Sequence, residues 1–350
     1  MPMKLFSTLI LVLFFISCQH NDGEAIITSG STLQVNGITV ITDTIITNEK
    51  GLLEPILIYN NSYYCLLHSK DSLGQYNAKY FCIISNNGGT KNIEGLSGYN
   101  EFGYNDIHIR HDSVMVKSYF DENSSFYIDE QNKKAIPIKT VDDVVFEDND
   151  YYVTALDFGE WGSATWFRDK KTGIEYIAAG FITPEIRKFK GAYYLISPGE
   201  INVVDNPKLL ENAGKGAYRS FLGEGGAGKF YEREYKGYTK GLRNIFSRKI
   251  TYERESNFCI GLAFTHNDGL RFIVSDSAAT YIAKAEGKKL IPVANIGKGI
   301  KAIRRDNVYR NLYLNKTIPF STGKEGVYGL LEVKGNNILL HYFKNVSKSK

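Results

Sequence analysis

The chain alternates between short apolar runs and polar turns, and one arrangement of the two returns along its length. "KGAYYLISPG" (190–199), "NNSYYCLLHS" (60–69) and "EDNDYYVTALD" (147–157) each join a polar or glycine-containing turn to two aromatic residues and an apolar run. Short runs rich in aromatic and β-branched residues, bounded by Gly, Asn and Asp, are typical of β-strands separated by turns. We therefore predict a β-rich chain built from repeated hairpins.

Six copies of a strand, turn and strand unit align on this phrase, and each has Ile or Val in its second place. The units begin at Pro55, Asp106, Asp143, Glu185, Lys249 and Gly299. A period of about 40 to 50 residues with four strand-like runs per repeat is typical of a β-propeller, in which each repeat forms one blade. The sequence predicts an all-β fold, a β-propeller of six blades; five or seven blades and a β-sandwich are the alternatives.

Two segments depart from the repeat. A strand-like run at 35–46 precedes the first unit, and we expect it to complete the last blade and close the ring. Segment 208–248 lengthens the fourth repeat; it is Gly-rich and carries nine Lys and Arg against four Glu. We interpret it as a basic insertion, either a lid over a ligand site or an ordered loop across the propeller.

Composition narrows the range of partners. The chain has 350 residues, of which 43% are apolar, enough for a sizeable core. Its net charge of +4 gives no reason to expect a nucleic acid partner. His and Cys residues do not stand at metal-ligand spacing, so we predict no metal and no cofactor.

The N-terminus has the layout of an export signal. Lys4 precedes an apolar run from Leu5 to Ser17, which is shorter than the roughly 20 residues of a membrane-spanning helix. The segment 15–18, "FISC", resembles a lipobox, the motif of bacterial lipoproteins that are cleaved directly before its cysteine and acylated on it. The resemblance implies a signal peptide at 1–17 and an acylated Cys18 that holds the protein to the outer membrane. We expect a polar tether at 18–33 and, from the repeats, a propeller domain at 34–346.

Two cysteines stand symmetrically about a turn. In "YYCLLHSKDSLGQYNAKYFCIIS" a hairpin centred near residues 73 and 74 places Cys65 opposite Cys82. A disulfide forms in an oxidising compartment when the two Cβ atoms are about 3.8 Å apart. The sequence predicts that the pair faces across the hairpin, either as a disulfide or as two buried thiols.

Charged residues recur where the innermost strand of each predicted blade begins. Asp106, Asp143 and Glu185 directly precede the aligned Ile or Val, Glu54 stands one place earlier in the first unit, and Lys249 takes the same place in the fifth. Such a ring could bind a sugar, hold a cation or supply the acid and base of a glycosidase. The alternative is that these side chains cap strand ends in solvent.

A second candidate site is the segment "LDFGEWGSATWF". Asp157 and Glu160 precede Trp161, and an exposed Trp beside carboxylates can stack on and hydrogen-bond a sugar. We predict that Trp161 is exposed and that Trp166 belongs to the core.

Glu54-Pro55-Ile56 followed by an aromatic strand resembles the innermost-strand opening of glycosidase propellers. The sequence therefore predicts an extracytoplasmic lipoprotein, periplasmic or surface-facing, that binds a glycan or an envelope protein. The alternative is a glycan-active hydrolase or lyase that uses two of the carboxylates above. We favour binding, since no pair of residues at catalytic spacing can be identified.

Overall fold

Six small β-sheets form a six-bladed β-propeller, which confirms the predicted fold class and blade number. The computed structural model describes residues 30, 32–47, 52–70, 76–91, 105–110, 112–118, 125–138, 144–157, 163–179, 185–222, 239–248, 258–297, 300–302, 317–322 and 327–345. Within each blade neighbouring strands are antiparallel, except for one parallel pair in blade 6.

Blades 1 to 3 occupy the first half of the described chain, and their strands are given from the innermost outward. Blade 1 contains β3 (Leu52–Tyr59), β4 (Ser62–Lys70), β5 (Tyr76–Ser85) and β6 (Thr90–Lys91). Blade 2 contains β7 (Asn105–Arg110), β8 (Ser113–Ser118), β9 (Phe126–Asp129) and β10 (Lys134–Pro137). Blade 3 contains β11 (Val144–Glu147), β12 (Tyr151–Asp157), β13 (Ser163–Asp169), β14 (Ile174–Ala179) and, at its outer edge, β18 (Glu211–Lys215).

Blades 4 to 6 complete the ring. Blade 4 contains β15 (Glu185–Phe189), β16 (Ala192–Ile196), β17 (Glu200–Val204) and β19 (Leu242–Ser247). Blade 5 contains β20 (Cys259–His266), β21 (Gly269–Ser275), β22 (Thr280–Glu286) and β23 (Lys289–Gly297). Blade 6 contains β24 (Lys301–Ala302), β25 (Thr317–Ser321), β26 (Val327–Lys334), β27 (Asn337–Asn345), β2 (Ile38–Thr47) and β1 (Thr32–Val35).

The N-terminal strands close the ring, as predicted. β2 pairs with β27 in a parallel register from Thr39 opposite Asn337 to Thr47 opposite Asn345. The turn after β5 packs directly on β2, because a Cβ atom at Gly88 would lie 1.8 Å from the Ile46 carbonyl oxygen. Gly88 also has a φ of +83°, so this contact between blade 1 and blade 6 requires glycine.

The recurring phrase forms the turn between the first and second strands of a blade. Both central residues have positive φ in blade 1 (Asn60 and Asn61) and in blade 4 (Lys190 and Gly191). Two-residue turns with this backbone match the twist of the strands they join, and Asn and Gly adopt it most readily. This backbone requirement explains the polar or glycine-containing turn of these blades, whereas the turn of blade 3 at 148–150 has no residue with positive φ and is held by the Asp148 side chain.

The paired aromatic residues pack between blades because successive residues of a strand point to opposite faces. Tyr63 lies in the hydrophobic cluster between blades 6 and 1, whereas Tyr64 lies in the cluster between blades 1 and 2. Tyr193 likewise contacts blade 3, and Tyr194 packs on the side of blade 5. Five such clusters between consecutive blades make up the core of the described residues.

The predicted alignment is wrong in the fifth unit. The innermost strand of blade 5 is β20, and its hairpin turn is Asn267–Asp268, both with positive φ. The unit therefore lies within 259–275, after the predicted start at Lys249, which itself is outside the described residues. After that turn blade 5 has Gly269, Leu270 and Arg271, so the aromatic pair of blades 1, 3 and 4 is missing.

The insertion at 208–248 contributes strands to two blades. β18 pairs with β14 at the edge of blade 3, and β19 is the fourth strand of blade 4. A 3₁₀ turn (Pro207–Leu209) and helix α1 (Ala217–Leu222) accompany them. Residues 223–238 and the predicted signal peptide at 1–17 lie outside the described residues, whereas the first strand begins at Thr32, within the last residues of the predicted tether.

Candidate functional site

A cleft opens between blades 3 and 4, with a volume of about 390 Å³. It lies on the face of the propeller that carries the turns between first and second strands and between third and fourth strands; we call this the hairpin face. Its lining comes from four such turns: Asp150 and Tyr151, Asp169 and Lys171, Lys188, Gly191 and Tyr193, and Asp205, Asn206, Pro207 and Lys208. The strand-entry face, where the acidic ring was predicted, is the opposite one.

Asp148 organises the wall between the two blades. Its Oδ1 accepts hydrogen bonds from the backbone N–H groups of Asp150 and Tyr151, which fix the turn. Its Oδ2 accepts hydrogen bonds from Lys188 Nζ and from the Tyr193 hydroxyl, both at 2.6 Å. Burial acts to raise the pKa of this carboxyl, but the hydrogen bonds together hold the pKa below its usual range.

Two tyrosines form the buried floor. The rings of Tyr151 and Tyr193 meet edge to face with centroids 6.0 Å apart. Burial raises the pKa of Tyr151 to about 12, and burial together with the bond to Asp148 raises the pKa of Tyr193 further. Both phenols are therefore neutral at ordinary pH, and the Tyr193 hydroxyl serves as a donor.

Asp169 holds the second blade 3 turn at the cleft. Its Oδ1 accepts hydrogen bonds from the backbone N–H groups of Lys171 and Thr172, both at 2.9 Å. These bonds, that of Thr172 above all, lower the pKa of the carboxyl. Its Oδ2 lies 3.5 Å from Lys208 Nζ, so a residue that shapes the turn also forms an ion pair inside the cleft.

The charges of the lining balance, three aspartates against three lysines. Most are already compensated, because Lys208 pairs with Asp169 and Asp205 pairs with an arginine outside the cleft at 3.0 Å. Lys188 pairs with the underlying Asp148 at 2.6 Å. The cleft is thus polar and rich in hydrogen-bonding groups, with no net charge to attract an ion.

The predicted acidic ring is described only in part. Glu54 lies in β3 and Asp106 in β7, but the placement of their side chains is not described, and Asp143 and Lys249 are outside the described residues. Glu185 is buried in the first position of β15, where both carboxylate oxygens accept a hydrogen bond from the backbone N–H of blade 5 residue 263 at 3.0 and 3.1 Å.

Glu185 therefore connects blades 4 and 5. Its Oε1 also accepts a hydrogen bond from Arg187 Nε at 2.5 Å, so the carboxylate is already occupied. The alignment identified where the strand begins, but it could not show that this side chain turns into the interface. Ligand binding by Glu185 would require these contacts to break, and it stays a prediction.

The structure describes only part of the segment that contains the two tryptophans. Trp166 is buried, as predicted, with its ring centroid 5.2 Å from that of Tyr218 in α1. Asp157 ends β12, with the placement of its side chain not described, and Glu160 and Trp161 are outside the described residues. Their role in sugar binding stays a prediction.

The cysteine register is as predicted, since Cys65 pairs with Cys82 across β4 and β5. Both side chains are buried thiols in the structure, and Cys65 Sγ donates a hydrogen bond to the Cys82 carbonyl oxygen at 3.3 Å. The structure therefore has the second of the two predicted states; formation of a disulfide in an oxidising compartment stays a prediction.

Within the part of the chain that the structure describes, no group of three His, Cys, Asp or Glu side chains is arranged to hold a metal ion. Over the same residues, no helix has the length and apolar character needed to span a membrane.

The fold and the cleft together define the chain as a six-bladed β-propeller with a polar site between two blades. No family model matches the sequence, and no curated protein matches it either. Among solved structures, it is similar to an exo-β-1,3-galactanase from Phanerochaete chrysosporium with β-1,3-galactotriose, at 10% identity and a TM-score of 0.30, over 87% of this chain and 78% of that one. It is also similar to a chain in the structure of S. cerevisiae Dbp5 bound to Nup159, Gle1, IP6 and ADP, at 6% identity and a TM-score of 0.24, over 91% and 80%.

Proposed function

We propose that this protein is a lipoprotein of the bacterial envelope whose propeller binds a glycan at the cleft between blades 3 and 4, without chemical conversion. Two features support the proposal. The N-terminal segment resembles a lipobox ending at Cys18, and the cleft supplies a polar site on a rigid scaffold. The glycan is held by hydrogen bonds, and the lipid keeps the propeller at the outer membrane.

The observation that carries the glycan proposal is the compensated charge of the lining. Lys188 and Lys208 are held by carboxylates, yet each ammonium has three donors and each carboxylate several lone pairs, so both keep unused hydrogen-bonding capacity. A neutral ligand rich in hydroxyl groups can use both kinds of group at once. The volume of about 390 Å³ falls within the range of about 300 to 1,000 Å³ usual for small-molecule sites and suits one or two sugar units.

The ligand proposal is tested with the full chain in detergent on an array of neutral and charged glycans, with turnover of each bound glycan measured in parallel. Lys208→Ala opens the cleft wall, and Lys284→Ala removes a comparable surface lysine that pairs with Glu286 at 3.3 Å in blade 5. We expect the first variant to lose glycan binding by about tenfold and the second to retain it. Equal binding by both variants would place the site elsewhere, and turnover would favour the hydrolase or lyase alternative.

The anchoring proposal needs its own experiment. Cys18→Ser should abolish incorporation of labelled palmitate and release the protein from the membrane fraction, whereas Cys259→Ser should change neither. Membrane association that persists without acylation would contradict the lipoprotein proposal. Co-purification of an envelope protein that depends on Lys208 would instead indicate a protein ligand at the cleft.

A further inference from the structure

Two charged groups at the cleft keep little or no compensation. Among the described residues, Lys171 forms no ion pair, and its side chain is exposed. Asp150 is 60% exposed, and its nearest cation is Lys188 Nζ at 3.9 Å. That ammonium lies 2.6 Å from Asp148, which takes the closer contact. One ammonium and one carboxylate therefore remain available to a ligand.

These two groups lie side by side on blade 3. Asp150 belongs to the turn between β11 and β12, and Lys171 belongs to the turn between β13 and β14. A backbone hydrogen bond from Lys170 N–H to the Asp150 carbonyl oxygen, at 2.9 Å, joins the two turns directly. The available carboxylate and ammonium are thus presented together at one lip of the cleft.

We propose that the cleft recognises a zwitterionic group, so that its ligand is a glycan bearing an amino acid or a short peptide with both a free ammonium and a free carboxylate. Asp150 accepts hydrogen bonds from the ammonium of the ligand, and Lys171 donates to its carboxylate. The balanced, paired charges in the rest of the cleft bind the sugar hydroxyls. This inference rests on the proposed function, because it names the ligand class of the same site.

A pair of opposite charges selects for such a ligand in two ways. A purely cationic or anionic ligand satisfies one of the two groups and faces like charge at the other, whereas a zwitterion satisfies both. Each contact is exposed to water, so its contribution to affinity is modest, about three- to fivefold. Selectivity for the zwitterion over a doubly capped analogue should therefore reach about tenfold.

The test uses the full chain in detergent and titration calorimetry with O-galactosylserine, its N-acetyl derivative, its methyl ester and methyl galactoside. We expect O-galactosylserine to bind about tenfold more tightly than methyl galactoside, and each singly capped form to fall between them. Asp150→Asn should abolish the preference over the N-acetyl form, and Lys171→Gln should abolish the preference over the methyl ester. Asp268→Asn and Lys284→Gln, exposed residues of blade 5, should preserve both preferences.

A second titration, with serine and its N-acetyl and methyl ester forms, separates this inference from the glycan proposal. Equal affinity for O-galactosylserine and methyl galactoside would overturn the zwitterion inference while leaving glycan binding intact. If no sugar binds but serine still binds with the same dependence on Asp150 and Lys171, the zwitterion site stands and the glycan proposal fails. If neither serine nor any of the sugars binds, both are overturned.

Discussion

Replacing Asp148 with alanine removes a carboxylate that accepts four hydrogen bonds beneath the cleft, and we expect the variant to lose about 3 kcal/mol of unfolding free energy. The two backbone N–H groups that it caps resemble those at a helix N-terminus, where loss of the capping side chain costs about 1 kcal/mol. The buried Tyr193 hydroxyl would remain without its acceptor, which costs about 1 to 3 kcal/mol. The exposed Lys188 contributes less than about 1 kcal/mol.

The assay is urea-induced unfolding of the full chain in detergent, followed by the fluorescence of Trp166, which is buried in blade 3. Tyr193→Phe removes the hydroxyl alone and should lose about 1 kcal/mol. The double variant should lose less unfolding free energy than the sum of the losses of Asp148→Ala and Tyr193→Phe, because both single variants remove the same hydrogen bond. Asp150→Ala, in the same turn but 60% exposed, is the matched control and should change stability by under about 0.5 kcal/mol. A loss below about 1 kcal/mol for Asp148→Ala would refute the assigned role.

Three further outcomes follow from the same contacts. Gly88→Ala should destabilise the ring closure by about 2 kcal/mol or more, whereas Gly173→Ala, which also has positive φ but open space around it, should cost about 1 kcal/mol; equal losses in thermal unfolding would contradict the close approach. Because hydrogen bonds hold the pKa of Asp148 low, its stabilisation is complete above about pH 4 and is lost as the pH falls through the folded-state pKa; Asp148→Asn should flatten this acid limb of the stability profile, and an unchanged limb would show that other groups control it. Tyr63→Phe should lose about 1 to 2 kcal/mol in urea unfolding, since the buried His341 Nδ1 loses its partner at 3.0 Å, and a change within error would mean that water replaces the hydroxyl.

The fold could be predicted because several blades repeat the same local requirement. A two-residue turn with positive φ demands Asn, Asp or Gly, as at Asn60 and Gly191, and the strand after it places successive side chains toward both neighbouring blades, as with Tyr63 and Tyr64. In blade 5, which retains its turn at 267–268 but lacks the aromatic pair, the predicted unit began too early.

The cleft could not be predicted from the repeat because it depends on what differs between blades. Its lining comes from segments near residues 150, 170, 190 and 206, each of which appears in the sequence as an ordinary polar turn. The useful signal was that "DND" in blade 3 and "FKG" in blade 4 occupy equivalent turns of adjacent blades and therefore lie on the same face. Without the register of the strands, that equivalence gives no distance between Asp148 and Lys188.

For Glu185 the position in the strand could be predicted from the sequence, but the role of its side chain could not. Its place at the start of β15 was readable from the alignment, and an acidic residue at a strand entry suggested an open carboxylate. In the fold the next blade supplies a backbone N–H to both of its oxygens, and Arg187 supplies a charged donor, so the side chain satisfies a buried interface. A blade can use a carboxylate either to hold its neighbour or to meet a ligand, and only the partners in space distinguish the two. Asp150, exposed and weakly paired at the hairpin face, is the described carboxylate whose surroundings best fit the second use.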